Sequence, residues 1–480
     1  MASQFKWPVY IIGISGGSWS VIEPLIASGR IPNIERLICN GASGTVESIR
    51  VKGDKHFRPQ TAWPTIASGL RPERHGVTRF FDDARDIKAN MIWDVFQEQG
   101  AKVGLFGWPI TWPPKPIDGF MVPSHLARDS QTWPSELSFI KMLDREGQSA
   151  ERNSGNQSQG STKQNRLKIV KSLLKTGLRP SSAMRIATTA ARAIVTGDVE
   201  KRAILLRHAK LELNSDIFLS LVKQYQTDFS AFTTFLVDLI SHRYWRYRDP
   251  DLFPNTDEES VIHFHDAIDK AYEHVDRIVG RVVAAAPGKS IIAIVSEHGM
   301  SAEPISAEIG KSRYIIQGDK VLEIVGLSST IIACPVARWI AFRFQPNRDT
   351  QSNLAAKLGR ILVKDTLLPL FQVHLHQDDE VIAKFNLHSD NEFYAKNGID
   401  NLTLTYNDRE FPISYIAKPL GSQRSAMHDA QALMILTGPG ISAGKKIFDA
   451  SILDFMPTIL HAAGISVPSG LDGKVLDIFD

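Results

Sequence analysis

The feature that most constrains this 480-residue chain is a set of acidic and imidazole side chains next to short apolar segments. Segments 229–237 and 290–295 predict buried strands, and segment 432–437 predicts a third. Ligands of an open parallel sheet bind outside the carboxyl ends of its strands, so groups far apart in sequence can converge there. Asp, Glu and His are also ligands of Zn- and Mn-type metal centres. The side chains at these positions are Asp238, His242, Glu297, His298 and His428.

Strand and helix periodicity alternate along the first part of the chain. The apolar segment 9–14 predicts a buried parallel strand that ends beside Ser15, and segment 102–106 predicts another strand. Helix periodicity is found at 19–27, 34–39, 64–68 and 92–98. This alternation indicates an α/β fold with a doubly wound, mostly parallel sheet and helices on both faces.

Two insertions interrupt the predicted α/β core. The core comprises residues 1–125, 226–300 and 426–480. Residues 126–225 predict a helical cap, and within them the polar segment 147–163 predicts a mobile loop because it lacks aromatic and large aliphatic residues. Residues 301–425 combine short strand-like segments with one helix and predict a second, α+β subdomain.

Charge gives little indication of a large polyanionic partner. The formal net charge is +3, and neither a nucleic-acid-binding motif nor a concentrated basic domain is found, so no nucleic acid is expected as a partner. The segment 167–213 is rich in Lys and Arg with helical spacing. These side chains form either a solvated helix face or a surface that attracts an anionic substrate.

Composition favours a cytoplasmic protein. Two cysteines, Cys39 and Cys334, argue against a disulfide framework and fit a reducing compartment. The N-terminal apolar run is short and is interpreted as a strand instead of a signal peptide. No run of eighteen or more apolar residues predicts a membrane-spanning helix.

The glycines after the first strand, Gly16 and Gly17, do not indicate a dinucleotide site. They follow Ser15 without the G-x-G-x-x-G spacing of that motif. Two interpretations remain: the glycines allow a tight turn, or their backbone amides bind a phosphate group.

Several motifs, spread over the core in a fixed order, carry a family resemblance. In this sequence they are IIGISGGSWSVIEPLIASGRIPNIERLICNGASG, AWPTIASGLRPERHGV, IWDVFQEQGAKVGLFGWPITWPP, VDLISHRYWRYRDP, SEHGM, LTGPGI and SILDFMPTILHAAGISVPSGLDGKVL. With them the chain resembles the type I phosphodiesterase/nucleotide pyrophosphatase family of the alkaline phosphatase superfamily. The resemblance implies an alkaline-phosphatase-like fold and covers nearly the whole core, whereas the two insertions match poorly.

The resemblance also implies a two-metal site that acts on small phosphate esters through a Thr or Ser nucleophile. One metal is expected on the D-x-x-x-H motif and a late histidine, which match Asp238, His242 and His428. The other is expected on a first-strand Asp, the nucleophile, and the Asp and His of a D-H-G motif. The corresponding positions include Ser15, Glu297 and His298.

Three positions depart from the family pattern. Ser15 replaces a carboxylate and removes one negative charge that would balance a dication. Glu297 is one methylene longer than the usual Asp and keeps the carboxylate. Counting back from Gly69 places the nucleophile at Pro59, which has no hydroxyl, and a two-residue slip brings Thr61 to that position instead. We therefore expect Thr61 to be the nucleophile and one tightly bound divalent ion, Zn or alternatively Mn.

Two functions of different classes are consistent with these residues. The first is a metal-dependent phosphoesterase that cleaves phosphodiester, pyrophosphate or phosphomonoester bonds. The second is a catalytically degenerate relative, with an incomplete second metal site, that acts as a binding protein. Fold alone does not distinguish them, because unrelated functions share folds.

Overall fold

The computed structural model describes residues 5–143, 180–254, 256–303, 313–327, 331–336, 339–364, 366, 368–386, 399–420 and 424–480. The chain divides into two compact units. The first comprises Met1–Pro304 and Arg424–Asp480, and the second comprises Ile305–Gln423. The predicted polar loop at 147–163 lies outside the described residues.

The strands, in chain order, are β1 (Val9–Ile14), β2 (Ala42–Glu47), β3 (Val103–Phe106), β4 (Gly119–Val122), β5 (Phe229–Thr234), β6 (Ile291–Val295), β7 (Gly299–Ala302), β8 (Arg313–Ile316), β9 (Ile332–Val336), β10 (Trp339–Arg343), β11 (Leu362–Val363), β12 (Phe371–His376), β13 (Glu380–Phe385), β14 (Thr403–Tyr406), β15 (Arg409–Pro412), β16 (Ala417–Leu420), β17 (Ala426–Asp429), β18 (Gln431–Thr437) and β19 (Lys445–Lys446).

The α-helices are α1 (Trp19–Ala27), α2 (Pro32–Cys39), α3 (Pro59–Ser68), α4 (Pro72–His75), α5 (Ile92–Glu98), α6 (Pro180–Val195), α7 (Val199–Tyr225), α8 (Leu236–Arg248), α9 (Glu258–Phe264), α10 (Ala267–Ala285), α11 (Gly318–Val325), α12 (Arg348–Gly359) and α13 (Phe455–Ala462).

An eight-stranded sheet forms the centre of the first unit, in the order β19-β2-β18-β6-β1-β5-β3-β4. Strand β1 pairs in parallel with β5 and β6, and β3 pairs in parallel with β4 and β5. Strand β18 is antiparallel to both of its neighbours, β2 and β6. This mostly parallel sheet with many helices confirms the predicted fold class.

Burial explains why the central strands are apolar without alternation. All six residues of β1 and all five of β6 are buried, as expected for strands covered on both faces by helices. The indole of Trp63 on α3 packs against the backbone of Gly13, where an added Cβ would lie 2.6 Å from the ring. The Trp63 ring also meets Trp108 edge-on, with centroids 4.8 Å apart. Helix α3 is thereby fixed on the sheet.

The carboxyl ends of three strands lie at one edge of the sheet. Ile14 pairs with Thr234 of β5, and Gly13 pairs with Val295 of β6, so the segments that follow start side by side. The predicted carboxyl end of the strand at 229–237, directly before Asp238, is wrong. Strand β5 ends at Thr234, and α8 starts at Leu236.

Helices α6 and α7 form an antiparallel hairpin within the first unit. Arg185 near the start of α6 pairs with Glu212 on α7, with 2.5 Å between Nη2 and Oε1. At the other end, Arg202 donates to the carbonyl oxygen of Ala193 over 3.0 Å. The side chain of Asp198 caps α7 by accepting from two backbone amides of its first turn.

The second unit has its own hydrophobic core. Its sheets are β12-β13-β10-β9, β11-β14-β15 and β16-β8. Apolar side chains of α11 and α12, including Val321 and Leu354, pack with Phe342 and Val381 of the first of these sheets. Short strands of the kind expected within residues 301–425 are present, for example β8 and β10.

Among the described residues, no helix is long and apolar enough to cross a membrane.

We expect Trp63→Ala to lower the free energy of unfolding by about 3–5 kcal/mol, because it removes a fully buried indole and leaves a cavity. The matched control is Phe448→Ala, since Phe448 is 76% exposed and its loss should cost less than about 0.5 kcal/mol. Urea unfolding, followed by circular dichroism, measures both. A loss below about 1 kcal/mol for Trp63→Ala would contradict this description of the core.

Candidate metal centre

Three potential metal ligands from distant parts of the chain meet at the carboxyl edge of the sheet. Asp238 lies in the first turn of α8, and His242 follows one turn later on the same helix face. His428 lies on β17, opposite Met300 of β7. His428 Nε2 is 2.9 Å from His242 Nε2 and 3.1 Å from Asp238 Oδ1, and His242 Nε2 is 3.3 Å from the same oxygen.

The size of this triangle fits a metal ion. Ligands at about 2.0–2.1 Å around a tetrahedral ion are separated by about 3.3 Å, and the three edges here measure 2.9, 3.1 and 3.3 Å. Asp238, His298 and His428 also form a group whose ligand atoms lie within 4.8 Å of one another. The ligand atoms of both sets are therefore already close together.

Backbone carbonyl groups lie beside Nδ1 of all three histidines. Nδ1 of His242 lies 2.8 Å from the carbonyl oxygen of Ala426, and Nδ1 of His428 lies 2.9 Å from that of Phe57. Nδ1 of His298 lies 3.0 Å from the carbonyl oxygen of Gly299. A carbonyl oxygen can only accept, so Nδ1 of His428 and of His298 carries a proton and, in the neutral ring, Nε2 presents a lone pair. Metal-binding histidines commonly have this arrangement. At His242, Nδ1 also lies 2.9 Å from the donor Nε of Arg424.

A second group of polar side chains follows β1 and β6. The Ser15 hydroxyl donates to Glu297 Oε1 over 2.5 Å, and His298 Nε2 lies 3.1 Å from the same oxygen. All three residues are fully buried. Within the described part of the chain, Glu297 Oε2 and His298 Nε2 have no hydrogen-bond partner. A buried carboxylate oxygen without a partner is costly, and a cation would satisfy it.

The two groups contact each other through stacked imidazole rings. The rings of His298 and His428 are 3.7 Å apart and inclined by 19°. Burial, assisted by the nearby His298, lowers the pKa of His428 to about 4. Burial also opposes the charged form of His298, but the carboxylate of Glu297 outweighs it and raises the pKa of His298. Although burial opposes ionisation of Asp238, His242 and His428 hold its pKa well below the usual value.

Close packing of the turn after β1 keeps the two groups together. Gly16 has φ of +72°, and an added Cβ would lie 2.9 Å from Met300 Cγ and 3.2 Å from the Cα of Asp238. The amide of Gly17 donates to the hydroxyl of Ser296 over 3.1 Å, which joins the turn after β1 to the turn after β6. Glycine at position 16 therefore serves a tight turn and a close approach, which supports the first of the two interpretations.

Helix α3 starts beside this centre, and Thr61 lies in its first turn. The carbonyl oxygen of Phe57, just before α3, contacts His428. Pro59 occupies the first helical position, where its missing N–H costs nothing. Thr61 is buried, and its hydroxyl donates to the carbonyl oxygen of Arg58 over 3.1 Å. No hydrogen bond from Thr61 to Glu297 or His298 is found among the described residues.

Arg424 is a residue of the centre that sequence patterns did not reveal. Its Nη2 lies 2.8 Å from Nε2 of His242, and its Nε lies 2.9 Å from Nδ1 of the same ring. The Nε group also donates to the carbonyl oxygen of Ala426 over 2.9 Å. Arg424 lies at the end of the predicted second insertion, which matches the family poorly, and only its position four residues before His428 could have drawn attention to it.

The mostly parallel α/β sheet, with a group of carboxylate and histidine side chains at its carboxyl edge, is consistent with an alkaline-phosphatase-like fold. Residues 9–450 match the family described as type I phosphodiesterase / nucleotide pyrophosphatase. The chain belongs to this family. Membership indicates a hydrolase.

A search of curated proteins found no significant match.

We expect Gly16→Ala to weaken divalent-metal binding at least about tenfold, because the added methyl group would displace Asp238 or Met300. Gly29→Ala is the matched control. Gly29 has a similar φ of +69° but nothing within 4 Å of the added Cβ, so backbone strain is comparable and the centre is untouched. Isothermal titration with Zn²⁺ measures both variants. Equal affinities for the two would show that the contact between Gly16 and Asp238 does not position the ligands.

Proposed function

We propose that this protein is a metal-dependent phosphoesterase in which Asp238, His242 and His428 hold one divalent cation. The observation that carries the proposal is the triangle of ligand atoms, in which Nε2 of His428 and Nε2 of His242 lie 3.1 and 3.3 Å from Asp238 Oδ1 and 2.9 Å from each other. One carboxylate and two imidazoles leave a coordination position open, as in catalytic Zn²⁺ sites. Zn²⁺ is the expected ion, and Mn²⁺ is the alternative.

Ser15, Glu297 and His298 would form a second, weaker cation site. Glu297 offers a buried oxygen without a hydrogen-bond partner in the described chain, and His298 offers Nε2. The hydroxyl of Ser15 is a neutral donor to Glu297, so this group has one carboxylate where the family pattern has two. With less negative charge to balance a dication, we expect one tightly bound ion and a second that binds more weakly.

Thr61 is our candidate for the nucleophile. Rotation about χ1 would release its hydroxyl from the carbonyl oxygen of Arg58. Its Oγ1 would then form a bond to phosphorus as the ester bond to the leaving oxygen breaks, with the hydroxyl proton lost to water. Water afterwards cleaves the phosphothreonine ester. A bound cation supplies Lewis-acid polarisation of the phosphoryl oxygens and favours the alkoxide.

Arg424 is suited to bind the phosphate group of the substrate. Its guanidinium lies against His242, with Nη2 2.8 Å from Nε2, one corner of the ligand triangle. A guanidinium matches two phosphate oxygens with parallel hydrogen bonds, and it would neutralise charge that develops on them. The expected substrates are small phosphate esters, with phosphodiester, pyrophosphate and phosphomonoester bonds all compatible with this chemistry.

The compartment and the range of partners stay predictions. Both cysteines are free, with Cys39 exposed and Cys334 buried, which fits the reducing cytoplasmic setting expected from composition. Nucleic acid is still not expected as a partner, because no recognised motif supports it.

A catalytically degenerate binding protein is the second candidate. Two hydroxyl contacts favour it: Thr61 donates to a helix carbonyl group, and Ser15 donates to Glu297. In that case the cation at Asp238, His242 and His428 would bind a phosphate-containing ligand without turnover. Hydrolysis of a nitrophenyl phosphodiester or monoester by the metal-loaded protein distinguishes the two candidates.

We expect Ser15→Asp to add a second tight ion, because it supplies another carboxylate beside Glu297 and His298. Isothermal titration with Zn²⁺ should give one tight ion for the wild type and two for the variant. Ser20→Asp is the control, since Ser20 is exposed on α1 and adds the same charge outside the centre. Two equally tight ions in the wild type would show that Ser15 is no obstacle to the second site.

We expect Thr61→Val to lower kcat for a nitrophenyl phosphodiester by about 10³-fold or more, because loss of a nucleophile removes the covalent step. Thr61→Ser keeps a hydroxyl and should retain much of the activity. Both variants should bind Zn²⁺ as the wild type does, and the titration used above checks this. Full activity in Thr61→Val would refute the assignment, whereas an inactive wild type with every metal tested would favour the binding protein.

A further inference from the structure

The connection between α6 and α7 exposes an unusual group of aliphatic side chains. Ile194, Val195 and Val199 are 78%, 85% and 63% exposed, and Leu206 on α7 is 40% exposed. These four residues, here called the hairpin tip surface, lie at one end of a short helical hairpin, whereas single exposed apolar residues are normal elsewhere on proteins.

The hairpin is held in place by polar contacts, so the exposure is built into the fold. Glu212 accepts from Ser182 and from Arg185, both on α6. Arg202 donates to the carbonyl oxygens of Ala193 and Thr196, which close the connection between the helices. The aliphatic side chains therefore face outward from a fixed scaffold.

Basic residues surround the hairpin tip surface, and its acidic residues are already engaged. Arg192, Lys201 and Arg202 lie next to the exposed aliphatic residues. Asp198 caps α7, and Glu200 accepts from Tyr244 and Arg243. Over residues 180–210 the sequence has 6 Lys and Arg against 2 Asp and Glu, a formal charge of +4 in a chain whose total is +3. The hairpin is thus cationic around its exposed aliphatic residues.

We propose that the hairpin tip surface docks onto an anionic lipid bilayer. The aliphatic side chains can insert at the boundary between headgroups and acyl chains, while the neighbouring Lys and Arg side chains are attracted to anionic headgroups. Apolar burial and electrostatic attraction therefore both favour binding. A protein partner is less favoured, because residues 180–206 contain no aromatic residue and aromatic anchors are typical of protein interfaces.

Docking would hold the metal centre near the lipid surface. Glu200, in the first turn of α7, accepts hydrogen bonds from Tyr244 and Arg243 on α8, the helix that also carries Asp238 and His242. The hairpin tip surface and the candidate centre are thus joined by a direct contact between two helices. Docking itself does not depend on catalysis, so it can be tested separately.

The test is co-sedimentation of the full chain with vesicles of phosphatidylcholine, with and without phosphatidylglycerol. We expect binding that requires the anionic lipid and that falls at least about tenfold in the double variant Ile194→Glu, Val195→Glu. The matched control is the double variant Ile262→Glu, Phe448→Glu, which adds the same charge at residues that are 71% and 76% exposed. Circular dichroism and Zn²⁺ titration verify that both variants are folded.

Any of three results would overturn the proposal. These are that the wild type fails to bind anionic vesicles, that the two double variants lose binding equally, or that the hairpin variant binds as well as the wild type. Light scattering adds a separate check: if the wild type is a dimer and only the hairpin variant is a monomer, the surface is an interface between copies of the chain instead. Unchanged hydrolysis of a soluble nitrophenyl diester by the hairpin variant would show that docking and catalysis are separate.

Discussion

The candidate centre depends on one constraint: three potential ligand atoms face one another at 2.9–3.3 Å in a largely buried site. The carbonyl oxygen of Phe57 holds the Nδ1 proton of His428, so its Nε2 cannot donate to His242 or to Asp238 while the ring is neutral. The guanidinium of Arg424 lies 2.8 Å from Nε2 of His242. A cation inside the triangle would relieve the repulsion between the facing ligand atoms. The strand register, the Gly16 turn and the pairing of β17 with β7 bring these atoms together.

Sequence patterns predicted the elements that bring these ligands together, because periodicity and apolar runs report burial directly. The candidate pair Asp238 and His242 was implied by the family resemblance, although β5 ends earlier than expected and a helix carries both residues. The carbonyl contacts and Arg424 could not be predicted. The Phe57 carbonyl oxygen and His428 are 371 residues apart, and no local pattern encodes a contact of that kind.

The second group illustrates how a family fold can keep its frame while its chemistry shifts. Ser15 occupies the position at the end of β1 where the family resemblance implies a carboxylate, yet its hydroxyl still bonds to Glu297. Glu297 follows the fully buried strand β6, and Pro59 occupies the first position of α3. Membership of the family therefore establishes the fold and the hydrolase class, while the number of cations and the identity of the nucleophile depend on these few residues.

The central claim is that Asp238, His242 and His428 bind one divalent cation. The most direct test is a crystal of the Zn²⁺-loaded protein measured at the zinc absorption edge. Our account predicts one strong anomalous peak bonded to both Nε2 atoms and to the Asp238 carboxylate, at about 2.0–2.2 Å. A peak only beside Glu297 and His298, or none at the triangle under saturating Zn²⁺, would contradict it.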